Sequence, residues 1–108
     1  MKNLYIAGPM SGIQNQNREA FLEAEADLWD ECEWDSIFNP TNSVATGLMR
    51  QGKISGETAY RTCMAEDLKF ICEKATHIYM LKGWEASPGA RAEHATAVCL
   101  GLKIMYEV

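Results

Sequence analysis

The sequence predicts an α/β domain built on a small parallel sheet of about four strands. Three observations carry this. Short runs at Leu4–Ala7, Ser36–Phe38, Ile78–Leu81 and Leu102–Tyr106 are bounded by Gly, Pro or polar turn residues, as buried strands are. Between them lie stretches with the periodicity and length of helices. The resulting order, β-α-β-loop-α-β-α-β, implies parallel strands joined by right-handed crossovers.

Taken in order, Leu4, Tyr5, Ile6 and Ala7 form a first strand stopped by Gly8-Pro9-Met10-Ser11-Gly12. Two glycines and a serine in that position either cradle a phosphate or sugar hydroxyl or make an ordinary turn. The loop has neither the dinucleotide fingerprint nor the Lys and spacing of a P-loop. Asn17 is placed to cap a helix reaching about Cys32, in which Phe21, Ala24, Leu28, Trp29 and Cys32 recur at helical spacing. Its acidic side, with Glu19, Glu23, Glu25, Asp27 and Asp30, reads as a solvated face. Ser36-Ile37-Phe38 is a second strand closed by Asn39-Pro40, because the residue before proline prefers extended geometry. Residues 41–56 lack sustained periodicity and are expected to be a long loop with a helical turn near Leu48–Arg50, either a binding lid or a plain insertion.

A further helix runs from about Glu57 to Glu73, with Tyr60, Met64, Leu68 and Ile71 on one stripe. Asp67 falls on that stripe, about 20° from Tyr60 and about 40° from Ile71 at 100° per residue. Burying an ionised carboxylate there is costly. Asp67 therefore either borders a polar cavity or bonds backbone groups at a local irregularity.

The stretch from Ile78 to Gly101 organises the rest. An apolar strand, stopped by Gly83, leads to Ser87-Pro88, an N-cap and a first helical position. Gly89, Ala90, Ala92, Ala95 and Ala97 have little bulk, so the helix can lie close to a sheet or a ligand. Glu93, in its second turn, is either a solvated carboxylate paired with a base such as Arg91 or an acidic group at a site. The simplest strand order is 2-1-3-4, a flavodoxin- or Rossmann-like three-layer arrangement. It brings the Gly8–Gly12 loop and the Ser87–Glu93 turn to one crevice at the carboxyl ends of the first and third strands.

Residues 1–108, with 47% hydrophobic content, suit one domain with a modest core. The formal charge of −5 argues against a nucleic-acid polymer as main partner, since neutralising phosphates needs clustered Lys and Arg. No 18-residue apolar stretch exists and the N-terminal apolar run is too short for a signal peptide, so a cytoplasmic protein without a membrane partner is expected. Cys32, Cys63, Cys72 and Cys99 contain no C-x-x-C pair and read as reduced core residues. His77 and His94 lack metal-ligand spacing with them, and neither a metal nor another cofactor is expected.

YIAGPMSG near the start, an Asp in the helix before the central strand, and GWEASPGARAEHATAVCLGL together resemble the nucleoside 2-deoxyribosyltransferase-like superfamily. The likeness is to its short phage and bacterial branch, related to deoxynucleoside 5′-monophosphate N-glycosidases. It spans nearly the whole chain, and the spacing of Ser87, Gly89 and Glu93 is its most specific part. The resemblance implies Glu93 as nucleophile at an anomeric carbon, Asp67 as its acidic helper and Tyr5 as the first-strand tyrosine. Ser11 and Ser87 match groups that hold sugar or phosphate, with Gly8, Gly12 and Gly89 allowing close backbone approach. Arg91 and His94 either clamp an anionic ligand or pair with Glu93.

Pro9 removes a backbone N–H where phosphate-binding relatives place a donor. Only 15 residues follow Glu93, without the C-terminal segment that larger transferases extend into a neighbouring subunit. The implied activity is an N-glycosidase or deoxyribosyltransferase acting on a small-molecule nucleoside or nucleotide, hydrolysis ahead of transfer. The alternative is a catalytically inactive nucleotide-binding protein that sequesters or senses its ligand. Expected exposure of Trp84 and Trp34, and sites completed across subunits in relatives, imply a homodimer or larger.

Overall fold

The strands of the computed structural model, which describes residues 1–108, are β1 (Asn3–Ala7), β2 (Ser36–Phe38), β3 (His77–Met80) and β4 (Lys103–Tyr106). All pair in parallel, in the order β2-β1-β3-β4 that the sequence predicts. The helices are α1 (Arg18–Glu31), α2 (Val44–Arg50), α3 (Gly56–Glu73) and α4 (Pro88–Leu100).

Successive strand residues face opposite sides of the sheet, and this alternation builds three layers. On one side Leu4 and Ile6 pack with Phe21, Ala24 and Leu28 of α1. On the other, Tyr5, Ala7, Ile78 and Met80 pack with Ile71 of α3 and Ala97 of α4. Full burial of an aliphatic or aromatic side chain of this kind contributes about 1.5–3 kcal/mol. Because β1 is central, Tyr5 projects from the middle of the sheet towards α3 and α4.

Past their last paired residues, β1 and β3 stay together. Leu81 N donates to Ala7 O at 2.8 Å. Gly8 then passes so near Leu81 that a Cβ on it would stand 2.8 Å from Leu81 Cβ. Glycine at this position serves the close approach of two strand ends.

Four expectations need correction. Residues 41–56 are mostly helical: a 3-10 turn at Pro40–Asn42 leads into α2. Ser43 Oγ caps α2 by accepting from Thr46 N at 3.1 Å, and Glu66 Oε1 of α3 accepts from Ala45 N at 3.1 Å. A carboxylate on free first-turn N–H groups stabilises a helix start, and this one comes from another helix. Asn17 borders α1 but does not cap it. Asn15, Gln16 and Asn17 are all left-handed, at φ 52°, 57° and 60°, and this backbone takes the Asn17 side chain to Pro9 O at 3.1 Å.

The cysteines are free but not in the core. Cys72 and Cys99 are exposed, and Cys32 and Cys63 are half-buried. Position 72 is one step of 100° past buried Ile71, and position 99 is two steps past buried Ala97. The two tryptophans expected at the surface are half-buried by local packing. Trp84 stacks on His94 with centroids 4.3 Å apart, and Trp34 meets the His77 ring edge-on at 4.9 Å. No helix is long and apolar enough to cross a membrane.

Candidate active site

Chain order reverses between β1 and β3, since β2 lies to one side of β1 and β3 to the other. Beyond the carboxyl ends of such a strand pair the two crossovers diverge and leave a crevice. A cavity of about 670 Å³ lies there, within the usual range of small-molecule sites. Its walls are the loop after β1, the inner side of α3 and the start of α4, with Pro40 and Met49 from the segment after β2. A second hollow of about 500 Å³, around Trp29, Cys32 and Trp34, shares none of these residues and contains no buried titratable group.

Local rules place each acidic group. Ser87 Oγ accepts from Ala90 N at 3.2 Å and Pro88 opens α4, so the helix starts as its sequence dictates. Ala90, Glu93 and Ala97 then share one inward stripe. Glu93 is 5% exposed and Asp67, on the inward side of α3, is 6% exposed. They are the only buried carboxyls in the chain. Tyr5 reaches them from below, its hydroxyl donating to Glu93 Oε2 at 2.9 Å. Asp67 stands beside this pair with its Oδ1 buried and unpartnered.

Electrostatics follow from this geometry. Burial raises Glu93 well above the usual carboxyl range, the negative field of Asp67 adds to the rise, and the Tyr5 hydroxyl opposes it. Burial also pushes Asp67 up to about 7; the neighbouring Tyr5 and Glu93 donors oppose this, and the charge of Glu66 reinforces it. Tyr5, raised first by its own burial and then by both carboxyls, stays a protonated donor. Two adjacent carboxyls out of water hold a proton between them near neutral pH, so one is ready to act as acid and the other as base or nucleophile.

Of the residues singled out in the sequence, Tyr5, Asp67 and Glu93 meet at the cavity floor, and Gly8, Ser11, Gly12, Ser87 and Gly89 line it. A Cβ at Gly89 would meet Met64 Sδ at 3.4 Å and Tyr60 Oη at 3.7 Å, ordinary contact distances, so the site itself has room for a methyl group there. Arg91 is the correction: it is exposed and outside the lining. Two residues along a helix is a turn of 200°, which carries Arg91 to the side opposite Glu93. His94, one step beyond Glu93, turns to Trp84 and pairs its Nε2 with Tyr106 Oη at 2.9 Å. Neither base pairs with Glu93.

Gln16, Met49 and Cys63 also line the cavity and were not foreseen as site residues. Cys63 carried a signal, lying four residues before Asp67 on one helix face. Gln16 and Met49 carried none, because they arrive by chain folding alone. No group of three or more His, Cys, Asp or Glu side chains is arranged to hold a metal ion.

Fold and site together define a three-layer α/β protein with a tyrosine-braced carboxyl pair at the topological switch point. Over residues 2–106 the chain matches the family described as a domain of unknown function, DUF4406, and it belongs to that family. No curated protein and no solved structure matches it.

Proposed function

We propose that the protein is a nucleoside or nucleotide N-glycosidase, or a related deoxyribosyltransferase, with Glu93 as nucleophile. The observation that carries this reading is the buried set of Glu93, Asp67 and Tyr5 on the floor of one cavity. The resemblance of YIAGPMSG and of the Ser87, Gly89 and Glu93 spacing to the nucleoside 2-deoxyribosyltransferase-like superfamily supports it. In this mechanism a Glu93 oxygen bonds to the anomeric carbon as the carbon–nitrogen bond breaks, and the nitrogen keeps the electron pair. Asp67, holding a proton near neutral pH, delivers it to the departing base. Water then attacks the glycosyl ester, gives its proton to the Asp67 carboxylate and frees Glu93, as in retaining glycosidases. Tyr5 steadies the negative charge on Glu93 before the first step and again once the second has freed it.

The strong rise of Glu93 favours a second reading, since a protonated carboxyl is a poor nucleophile: a protein that binds the same ligands without turnover. A panel of nucleosides and their monophosphates separates the two. Release of free base, abolished by Glu93→Gln with ligand binding retained, is expected, the loss being at least about a hundredfold in rate, or about 3 kcal/mol. Mass spectrometry of a slowed reaction should then find a sugar adduct on Glu93. Ligand-induced melting shifts without product would instead select the binding protein. Wild-type turnover in Glu93→Gln would remove the nucleophile assignment.

A further inference from the structure

Two buried side-chain atoms in the chain have no hydrogen-bond partner, Asp67 Oδ1 and Gln16 Oε1, and both residues line the same cavity. Native proteins leave few such atoms, and each is a standing cost to folding. The other end of the Gln16 amide is little better served, because Nε2 donates only to Met49 Sδ at 3.7 Å, a weak acceptor. Turning the amide over sets its carbonyl against the thioether sulfur and leaves the NH₂ unpaired, so either orientation is poor.

The backbone adds to the case. Gln16 is the middle of three successive left-handed residues, a conformation that is unfavourable outside glycine. Asn17 Nδ2 fastens this turn to Pro9 O in the loop after β1. A strained turn thus holds an unsatisfied amide against a cavity wall, and folding alone gains nothing from it.

We infer that Gln16 is the specificity-determining residue of the cavity and reads the polar edge of the ligand's ring. The inference rests on the nucleoside or nucleotide reading given above. On binding, the amide turns from Met49 into the cavity, where Oε1 accepts from an amino or ring N–H and Nε2 donates to the ring nitrogen or carbonyl next to it. A primary amide matches such a donor–acceptor edge in a bidentate manner, as glutamine does with adenine. Met10, Ile13, Met49 and Tyr60, in the same lining, suit the flat faces of the heterocycle.

Gln16→Met keeps the length of the side chain and removes both polar atoms. Its effect is measured by titration calorimetry in a Glu93→Gln background, so that probes are not consumed. The probes are 2′-deoxyadenosine, 2′-deoxycytidine and the analogue of each in which hydrogen replaces the exocyclic amino group. With Gln16 present, the amino member of at least one pair binds about tenfold tighter than its partner. With Gln16→Met that ratio falls to about one, through weaker binding of the amino member alone. The melting temperature of the free variant stays level or rises, because an unsatisfied buried amide has gone. A ratio that survives Gln16→Met, equal binding within both pairs, no binding by any probe, or a melting temperature several degrees lower overturns the inference. Discrimination without turnover in the native background upholds it while sinking the glycosidase reading. Turnover that depends on Glu93 but shows no discrimination does the reverse.

Discussion

Replacing Asp67 by Asn should remove a large part of the pH dependence of stability. Its folded-state value of about 7 lies above the ordinary 3.8 of an exposed aspartate, because the carboxyl is buried. Between those two values the folded chain holds a proton that the unfolded chain has lost, so stability falls as pH rises. The contribution is complete below about pH 4 and is lost as pH climbs through 7. Each step of one in pKa is worth about 1.36 kcal/mol, so the whole interval is worth about 4 kcal/mol. That is a large share of the 5–15 kcal/mol typical of a domain. Urea unfolding of wild type and Asp67→Asn at intervals from pH 4 to 8 measures it. The two chains should be close near pH 4 and diverge upward, the variant becoming the more stable by up to about 4 kcal/mol at pH 8. Glu93 acts in the same sense, since the negative field of Asp67 raises it and the substitution removes that field. Parallel curves for the two chains would refute the argument, showing that Asp67 does not hold its proton towards neutrality.

Tyr5→Phe removes the donor that favours ionised Glu93, so the acidic limb of kcat/KM should move to higher pH, with a loss of roughly ten- to a hundredfold near neutrality. An unmoved limb on a verified substrate contradicts the role given to the hydroxyl. Gly8→Ala should destabilise the fold by about 1–3 kcal/mol in chemical denaturation, since its Cβ would strike Leu81 Cβ, which no rotamer can move; a neutral outcome counts against the close approach of the strand ends. Tyr106, Val98 and Leu100 are about half exposed near the sheet edge at β4, and light scattering is expected to give at least twice the mass of one chain; a monomer at micromolar concentration rejects that assembly.

Much of this architecture was legible because local and global signals agree. The runs around β1 and β3 are apolar and punctuated by Gly8 and Gly83, and Ser87-Pro88 fixes the start of α4 without help from the rest of the chain. Asp67 announced itself as a carboxyl out of place on an apolar stripe. What escaped depends on distant partners. In α2, Val44, Thr46 and Gly47 carry little helical propensity, and the support from Glu66 joins segments 21 residues apart. Met49 could not be placed at the cavity without α2, nor Gln16 without the left-handed turn that presents it. Arg91 was misassigned because nearness in sequence is not nearness on a helix surface: 200° separates it from Glu93.

Glu66 stands one residue before Asp67 and does two things. Its carboxylate anchors the start of α2, and its charge strengthens the hold of Asp67 on a proton. An architectural duty and a chemical one therefore share a codon. Most replacements forfeit both, freeing the wall that bears Met49 while lowering the proton affinity of Asp67. Glu66→Gln separates them, keeping an acceptor for Ala45 N while discarding the charge. Glu66→Gln is thus a way to lower the proton affinity of Asp67 without taking away the acceptor at the start of α2.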